Sequence, residues 1–365
     1  MLSEFLKKLR LIYRVEQDNV LYRELIEFMY KETPPEDNNF LRYDYTSYIE
    51  RVTKFEFDEK KSPLFSVIIP TYNRCELLKK TLKAIAIQKE ILVKDIEIII
   101  TDNGSTDNTE NTLADFQKNG PRVVYIKLKK NYGADLARNV AVLNSRGNFL
   151  AFTDDDCIVP PNWLSELKRE LDADSEISGV GGLKEPRSTK ENLDIYHRFL
   201  MWGHFYYPHI RTKKFDMLNN RCGLTANVCY RRNTFETLGG FNLYFKRIGF
   251  LEFKTRAHKS GLKFLYEPKM VEHYAYFTFR MHVLKLFPQS LSRYLLHRLH
   301  PDIWPNPSFL YFLKRTIRDI HNVFMSGKQP PLFNKSLLDI VSFSFLSMVT
   351  NFFLWFGKYW IIAFR

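Results

Sequence analysis

Three consecutive carboxylates, Asp154, Asp155 and Asp156, directly follow a largely apolar run at residues 149–153. A short run of Phe, Leu and Ala is typical of a buried strand in a parallel sheet. Adjacent carboxylates repel one another and are costly to remove from water, so their concentration at a strand end indicates a bound cation. Carboxylate oxygens suit Mg²⁺ or Mn²⁺. The alternative is a solvated acidic turn that the following Pro-Pro pair ends.

The elements that must position these carboxylates begin at Pro63, where short apolar runs start to alternate with helical patterns. Strands are predicted at 65–69, 96–100, 123–128, 149–153 and 177–180. Four strand–helix units in succession predict a parallel sheet with right-handed crossovers. Ligands of such sheets bind beyond the carboxyl ends of the strands. Three polar clusters fall there, namely Thr71-Tyr72-Asn73, Asp102-Asn103-Gly104-Ser105 and the triple Asp.

Four segments around these strand ends, read in order, resemble the motifs of the family-2 glycosyltransferases. They are SVIIPTYNR at 66–74, DNGSTD at 102–107, NYGADLARN at 131–139 and FTDDDC at 152–157. The resemblance spans about residues 63–278. It implies an α/β fold of the GT-A type, Rossmann-like, with a mostly parallel sheet and helices on both faces. It also implies a metal-dependent, inverting hexosyltransferase that moves a sugar from a nucleotide-sugar donor, a UDP-sugar above all, to a hydroxyl acceptor.

The resemblance assigns roles to the matched residues. It places at the donor Pro70, Thr71, Asn73, Asp102, Arg138, Asp154 and Asp155. It makes Asp156 the metal ligand, supported by Asp154, and sets His273 where some relatives have an additional ligand. The alternatives are a structural His273 and an ion pair for Arg138. A divalent ion, Mn²⁺ or Mg²⁺, would stabilise the charge that develops on the diphosphate leaving group.

One departure from the family pattern concerns the general base. Relatives carry a Glu-Asp pair about a dozen residues before the glycine that aligns with Gly261, and its Asp deprotonates the acceptor. This chain has Gly249-Phe250 there, and the nearest acidic residue is Glu252. Either Glu252 is the base, or it pairs with a basic residue and another carboxylate reaches in. A further alternative is a non-catalytic nucleotide-sugar-binding protein with a degenerate base motif.

Composition bounds the partners and the compartment. The formal net charge of +13 suggests an anionic partner, but Lys and Arg are dispersed without a recognition-helix or RNA-binding signature, so nucleic acid is not expected. The four cysteines lack metal-ligand spacing and are expected to be reduced. Residues 1–10 lack the apolar core of a secretory signal. We therefore expect the catalytic domain in the cytoplasm.

The flanks of the predicted domain differ from it in composition. Residues 1–62 are interpreted as an amphipathic helical segment followed by a linker over 36–62, and residues 279–365 as a helical C-terminal region. That region is basic and aromatic, and then apolar over 337–363. It predicts association with the inner face of the cytoplasmic membrane, by a helix that spans or lies on it, with packing on the domain as the alternative. A lipid-linked acceptor and cell-surface polysaccharide or glycoconjugate synthesis would suit that location.

Overall fold

The computed structural model describes residues 39–55, 62–116, 121–186, 198–199, 214–215, 225–245, 247–274, 279–325 and 337–363. Within them one mixed sheet contains the strands β1 (Ile49–Phe55), β2 (Phe65–Thr71), β3 (Ile96–Asp102), β4 (Arg122–Leu128), β5 (Phe149–Phe152), β6 (Cys157–Ile158), β7 (Ile177–Pro186), β8 (Lys214–Phe215), β9 (Val228–Arg231) and β10 (Lys263–His273). Their order is β1-β4-β3-β2-β5-β9-β7-β10-β6, with β8 paired to β10. The strands β4, β3, β2 and β5 are parallel neighbours.

Helices connect the strands and cover both faces of the sheet. They are α1 (Cys75–Ala86), α2 (Thr109–Phe116), α3 (Ala134–Leu143), α4 (Trp163–Ala173), α5 (Arg232–Thr237), α6 (Gly249–Lys259), α7 (Phe279–Leu299), α8 (Phe309–Met325) and α9 (Leu337–Ala363). Successive residues of β2 enter two different cores because side chains alternate along a strand. Val67 belongs to the core that contains Leu82 of α1, and Ile68 to the core that contains Val140 of α3. The predicted α/β class, with helices on both faces of the sheet, is confirmed.

The expectation of a linker is wrong for residues 39–55. Its residues Ile49–Phe55 form β1, which pairs antiparallel with β4 and extends the sheet at its edge. Phe40 and Tyr45 are buried in the core next to α3. Much of β1 is exposed and polar, as edge strands commonly are, so it lacks the apolar run by which the central strands were predicted. The amphipathic helix predicted for residues 1–32 lies outside the described residues.

The C-terminal helices pack against one another and on the sheet domain. Helix α9 packs against α7 and α8. Leu291 and Leu295 of α7 belong to the same core as Ile68. Trp304 Nε1, between α7 and α8, donates to Thr255 Oγ1 of α6 at 2.9 Å. Among the helices that the structure describes, none combines the length and the hydropathy needed to cross a bilayer.

Candidate functional site

The carboxyl ends of β2, β3 and β5 meet at one edge of the sheet, as predicted. Thr71 Oγ1 donates to Asp155 Oδ2 at 2.8 Å, which ties the end of β2 to the triple Asp. The backbone N–H of Asn73 donates to Ser105 Oγ at 2.8 Å, and that of Thr106 donates to Asn73 Oδ1 at 2.8 Å. Asn73 adopts a φ of 51°, a left-handed conformation that Asn tolerates better than most residues. The three predicted loops therefore form one connected rim.

Asp102 is held at the end of β3 through both carboxylate oxygens. The Tyr125 hydroxyl donates to Oδ2 at 2.6 Å, and the backbone N–H of Ser105 donates to Oδ1 at 2.7 Å. Pro70 lies beside it in β2, in register with Thr101. These bonds fix the loop that follows β3. Contacts of Asp102 and Pro70 with a nucleotide stay predictions.

Four side chains beyond β5 could hold a metal ion. One ligand atom each of Asp154, Asp156, Cys157 and His273 lies within 4.8 Å of the others. His273 Nε2 is 3.3 Å from Asp156 Oδ1, because β10 pairs antiparallel with β6 and sets His273 opposite Cys157. Carboxylates suit Mg²⁺ and Mn²⁺, and imidazole suits divalent transition ions, so Asp154, Asp156 and His273 fit Mn²⁺. The thiolate of Cys157 is a softer ligand that suits Zn²⁺ better than Mn²⁺. The structure thus brings together the three predicted metal ligands and adds Cys157.

Arg74 contacts the same carboxylates, although no role was predicted for it. Its Nη1 lies 3.0 Å from Asp155 Oδ1 and 2.7 Å from Asp156 Oδ2. Burial raises the pKa of Asp155 to about 6, against the lowering effect of the Arg74 charge. Arg74 ends the first motif and precedes α1. The contact could not be predicted because Arg74 is 81 residues from Asp155 in the sequence. The guanidinium adds a fixed positive charge to the acidic cluster.

Arg138 on α3 bridges two carboxylates. Its Nη1 donates to Asp135 Oδ1 and its Nη2 donates to Asp154 Oδ1, both at 2.8 Å. The ion-pair alternative for Arg138 is therefore present, and its contact with a nucleotide stays a prediction. Burial raises the pKa of Asp135, while the neighbouring Arg138 acts in the opposite direction. Asp135, for which no role was predicted, is thus connected through Arg138 to Asp154 of the acidic cluster.

A cleft of about 340 Å³ opens beside Asp154. This volume lies within the range of small-molecule sites. Its walls come from α3, from the start of α6 and from α7. The charged residues that line it are Asp135, Arg138, Asp154, Arg247 and Lys285. The cleft therefore continues from the acidic cluster into a more basic environment.

Glu252 on α6 lies away from this cleft. It is 1% exposed, and its Oε1 and Oε2 accept hydrogen bonds from Arg256 Nε at 2.7 Å and Nη2 at 3.0 Å. Arg256 also donates to the carbonyl oxygens of Leu238 and Gly240. Burial would raise the pKa of Glu252, but the charge of Arg256 lowers it below its usual value. The ion-pair alternative is thus observed, and the structure does not bring Glu252 to the acidic cluster.

Comparisons with known proteins agree with the four motifs. Residues 66–239 match the family described as glycosyl transferase family 2. GalNAc(5)-diNAcBac-PP-undecaprenol beta-1,3-glucosyltransferase of Campylobacter jejuni is 30% identical over 205 residues, which cover 50% of this chain and 64% of that protein. Chondroitin synthase of Escherichia coli is 32% identical over 127 residues, which cover 34% of this chain and 18% of that protein. The chain matches less than two thirds of the length of either relative.

Solved structures with a similar arrangement of elements include a mannosyltransferase, PcManGT, of Pyrobaculum calidifontis in complex with GDP-Man and Mn²⁺. It is 17% identical with a TM-score of 0.48, and the match covers 95% of this chain and 85% of that chain. TarS of S. aureus in complex with UDP-GlcNAc is 15% identical with a TM-score of 0.48, and the match covers 82% of this chain and 93% of that chain. At these identities the ligands of the two structures do not show what this chain binds.

Proposed function

We propose that this chain, a member of glycosyltransferase family 2, moves a sugar from a nucleotide-sugar donor to a hydroxyl acceptor with inversion at the anomeric carbon. The observation that carries the proposal is the acidic cluster at the rim of the parallel strands, where Asp154, Asp156 and His273 meet beside the cleft. We propose a UDP-sugar as donor. The names of the relatives support a place in the synthesis of cell-surface polysaccharides or glycoconjugates.

Different residues of the rim would contact the diphosphate end and the nucleoside end of the donor. Asp156, Asp154 and His273 would hold a divalent ion, which supplies positive charge to the diphosphate as it leaves. Arg74 adds a permanent positive charge at the same carboxylates. The loops that contain Asn73 and Asp102 are fixed by the bonds described above, so the nucleoside end would meet a rigid surface. Rigid, pre-oriented groups of this kind need little reorganisation during the reaction.

A panel of UDP-, GDP- and dTDP-sugars, each with and without Mn²⁺, tests the proposal. One class of nucleotide sugar should raise the Tm, because a ligand at 100 times its Kd stabilises the folded state by about 2.7 kcal/mol. The rise should require Mn²⁺, because the ion would supply positive charge to the diphosphate. The same mixture should release nucleoside diphosphate. Stabilisation without any release would support the alternative of a non-catalytic nucleotide-sugar-binding protein. Absence of stabilisation by every donor with Mn²⁺ would refute donor binding.

An acceptor that carries phosphate suits the charge of the cleft. Arg247 precedes α6 and Lys285 lies on α7, and both line the cleft. Positive groups in a partly closed cleft attract phosphates strongly. The Campylobacter relative is named for a substrate joined through diphosphate to a polyprenol. We therefore propose a lipid-linked hydroxyl acceptor for this chain.

The C-terminal helices expose two apolar stripes that suit a membrane surface. On α8, Phe309, Leu313 and Ile317 are exposed at helical spacing, and Lys314 and Arg318 are exposed directly beside them. On α9 a second stripe contains Val341, Phe345, Met348 and Phe352. Apolar side chains flanked by basic ones bind the interface of an anionic bilayer. We propose that α8 and α9 lie on the inner face of the cytoplasmic membrane.

The two stripes are joined by aromatic contacts. The rings of Phe309 and Trp355 lie 5.2 Å apart, and those of Trp355 and Phe352 lie 6.0 Å apart. The stripe of α8 therefore continues into that of α9 instead of ending at solvent. A continuous exposed apolar surface is unusual on a protein that meets only water.

Replacing Leu313 and Ile317 together with Gln should lower binding to vesicles of anionic phospholipid by at least about tenfold, because burial of a large aliphatic side chain contributes roughly 1.5–3 kcal/mol. Co-sedimentation with vesicles at rising lipid concentration measures the change. Ile87 and Leu92, which are also exposed but lie near the end of α1, provide the matched control when changed together to Gln. Equal losses in the two double variants would contradict a specific membrane face.

A further inference from the structure

Transfer to a hydroxyl group requires a base that takes its proton, and the positions where relatives keep one are Gly249 and Phe250. Glu252 is occupied by Arg256 outside the cleft. Among the described residues that line the cleft, the carboxylates are Asp135 and Asp154. Asp154 belongs to the candidate metal cluster. Asp135 is therefore the carboxylate that the cleft offers for proton transfer.

The carboxylate of Asp135 occupies the volume of the side chain that position 249 lacks. A Cβ added at Gly249 would lie 2.3 Å from Asp135 Oδ2, which is closer than such atoms approach, and 3.2 Å from its Cγ. Gly249 is not among the glycines with positive φ. The contact, and not an unusual backbone conformation, is what calls for glycine there. Asp135 of α3 thus places its carboxylate in the space that a side chain at position 249 of α6 would take.

Hydrogen bonding between the described residues orients Asp135 through Oδ1 and leaves Oδ2 for chemistry. Oδ1 accepts the hydrogen bond from Arg138 Nη1 at 2.8 Å, so the carboxylate is held in one direction. Oδ2 is directed to Gly249 at the first turn of α6, where free N–H groups favour negative charge. Burial raises the pKa of Asp135, and the charges of Arg138 and Arg247 lower it in part. A desolvated carboxylate that is kept in orientation by a cation suits a general base.

We infer that Asp135 is the general base of the transfer reaction and takes the place of the missing acidic pair. The inference rests on the proposed function. The acceptor O–H bond breaks and its proton moves to Asp135 Oδ2, while the acceptor oxygen forms a bond to the anomeric carbon. The bond from that carbon to the diphosphate oxygen breaks, and its electron pair leaves with the nucleoside diphosphate. Asp135 then returns the proton to water.

The experiment uses the full-length protein, Mn²⁺ and the donor that gives the largest thermal stabilisation of the wild type, with water as acceptor. Asp135→Asn should lower the release of nucleoside diphosphate by on the order of 10²–10⁴-fold while the donor-dependent rise in Tm is retained. Azide attacks without losing a proton, so it should restore release in Asp135→Asn and yield a glycosyl azide. Asp172→Asn, an exposed carboxylate paired with Lys168, is the matched control and should behave as the wild type.

A second variant leaves the carboxylate present and only displaces it. Gly249→Ala should also lower turnover with donor binding retained, because its Cβ would take the place of Asp135 Oδ2. Unchanged turnover in Asp135→Asn, loss of donor stabilisation together with turnover, or absence of azide rescue would each overturn the assignment while the proposed function stands. A wild type that binds donor without releasing nucleoside diphosphate would overturn the proposed function, and with it the inference.

Discussion

Replacement of Asp156 with Ala should strongly lower the rate of metal-dependent transfer and leave the fold intact. Asp156 contributes to the cluster with Asp154 and His273, and its other oxygen contacts Arg74 at 2.7 Å. An ion that lost this ligand would no longer be fixed beside the leaving diphosphate. Because such an ion provides several kcal/mol of charge stabilisation, the rate should fall by roughly 10²–10⁴-fold. The removed carboxylate lies at the rim, so no part of the apolar cores is disturbed.

Binding of Mn²⁺ and release of nucleoside diphosphate are the two measurements for this variant. Binding should weaken strongly in Asp156→Ala, and less in His273→Ala, which keeps both carboxylates. The exposed Asp172, changed to Ala, controls for the loss of one negative charge. Wild-type turnover by Asp156→Ala, or by the wild type in excess chelator, would show that the cluster holds no catalytic metal.

The rim could be predicted from the sequence because its information is local. Each polar cluster directly follows an apolar run, and parallel strands bring their carboxyl ends to one edge whatever the connections are. The edge strand β1 could not be predicted, because a strand that is exposed at the edge of a sheet need not be apolar. Much of β1 faces solvent, where polar side chains are as favourable as apolar ones.

Contacts between distant segments explain the rest of what the sequence did not reveal. Cys157 meets His273 through the register of β6 and β10, and Arg74 reaches the triple Asp across the rim. The same holds for Asp135, whose contact with Gly249 follows from the packing of α3 beside the start of α6. Arg74, Asp135 and Cys157 are not unusual within their own segments of the sequence. The absence of an acidic pair at positions 249 and 250 made a carboxylate from another segment one alternative to Glu252 as the base.

Replacement of Glu252 with Ala should destabilise the protein by about 3–5 kcal/mol, the range observed when one partner of a buried ion pair is removed. Arg256 would keep its bonds to the carbonyl oxygens of Leu238 and Gly240 but would lose the charge that offsets its own. Equilibrium unfolding in urea, with the slope compared between variants, measures the difference. Glu236→Ala, which removes an exposed partner of Arg232, is the matched control and should cost about 1 kcal/mol or less.

The pH dependence of this difference separates an ion pair from a base. Because the pKa of Glu252 is lowered in the folded state, its stabilising contribution is complete above the ordinary pKa of a glutamate and is lost as pH falls through the folded value. The wild type and Glu252→Ala should therefore approach one another in stability at acid pH. If Glu252→Gln instead unfolds as the wild type does but transfers sugar at least about 10²-fold more slowly, Glu252 acts on the substrate. Asp135 would then be left with its contact to Arg138 alone.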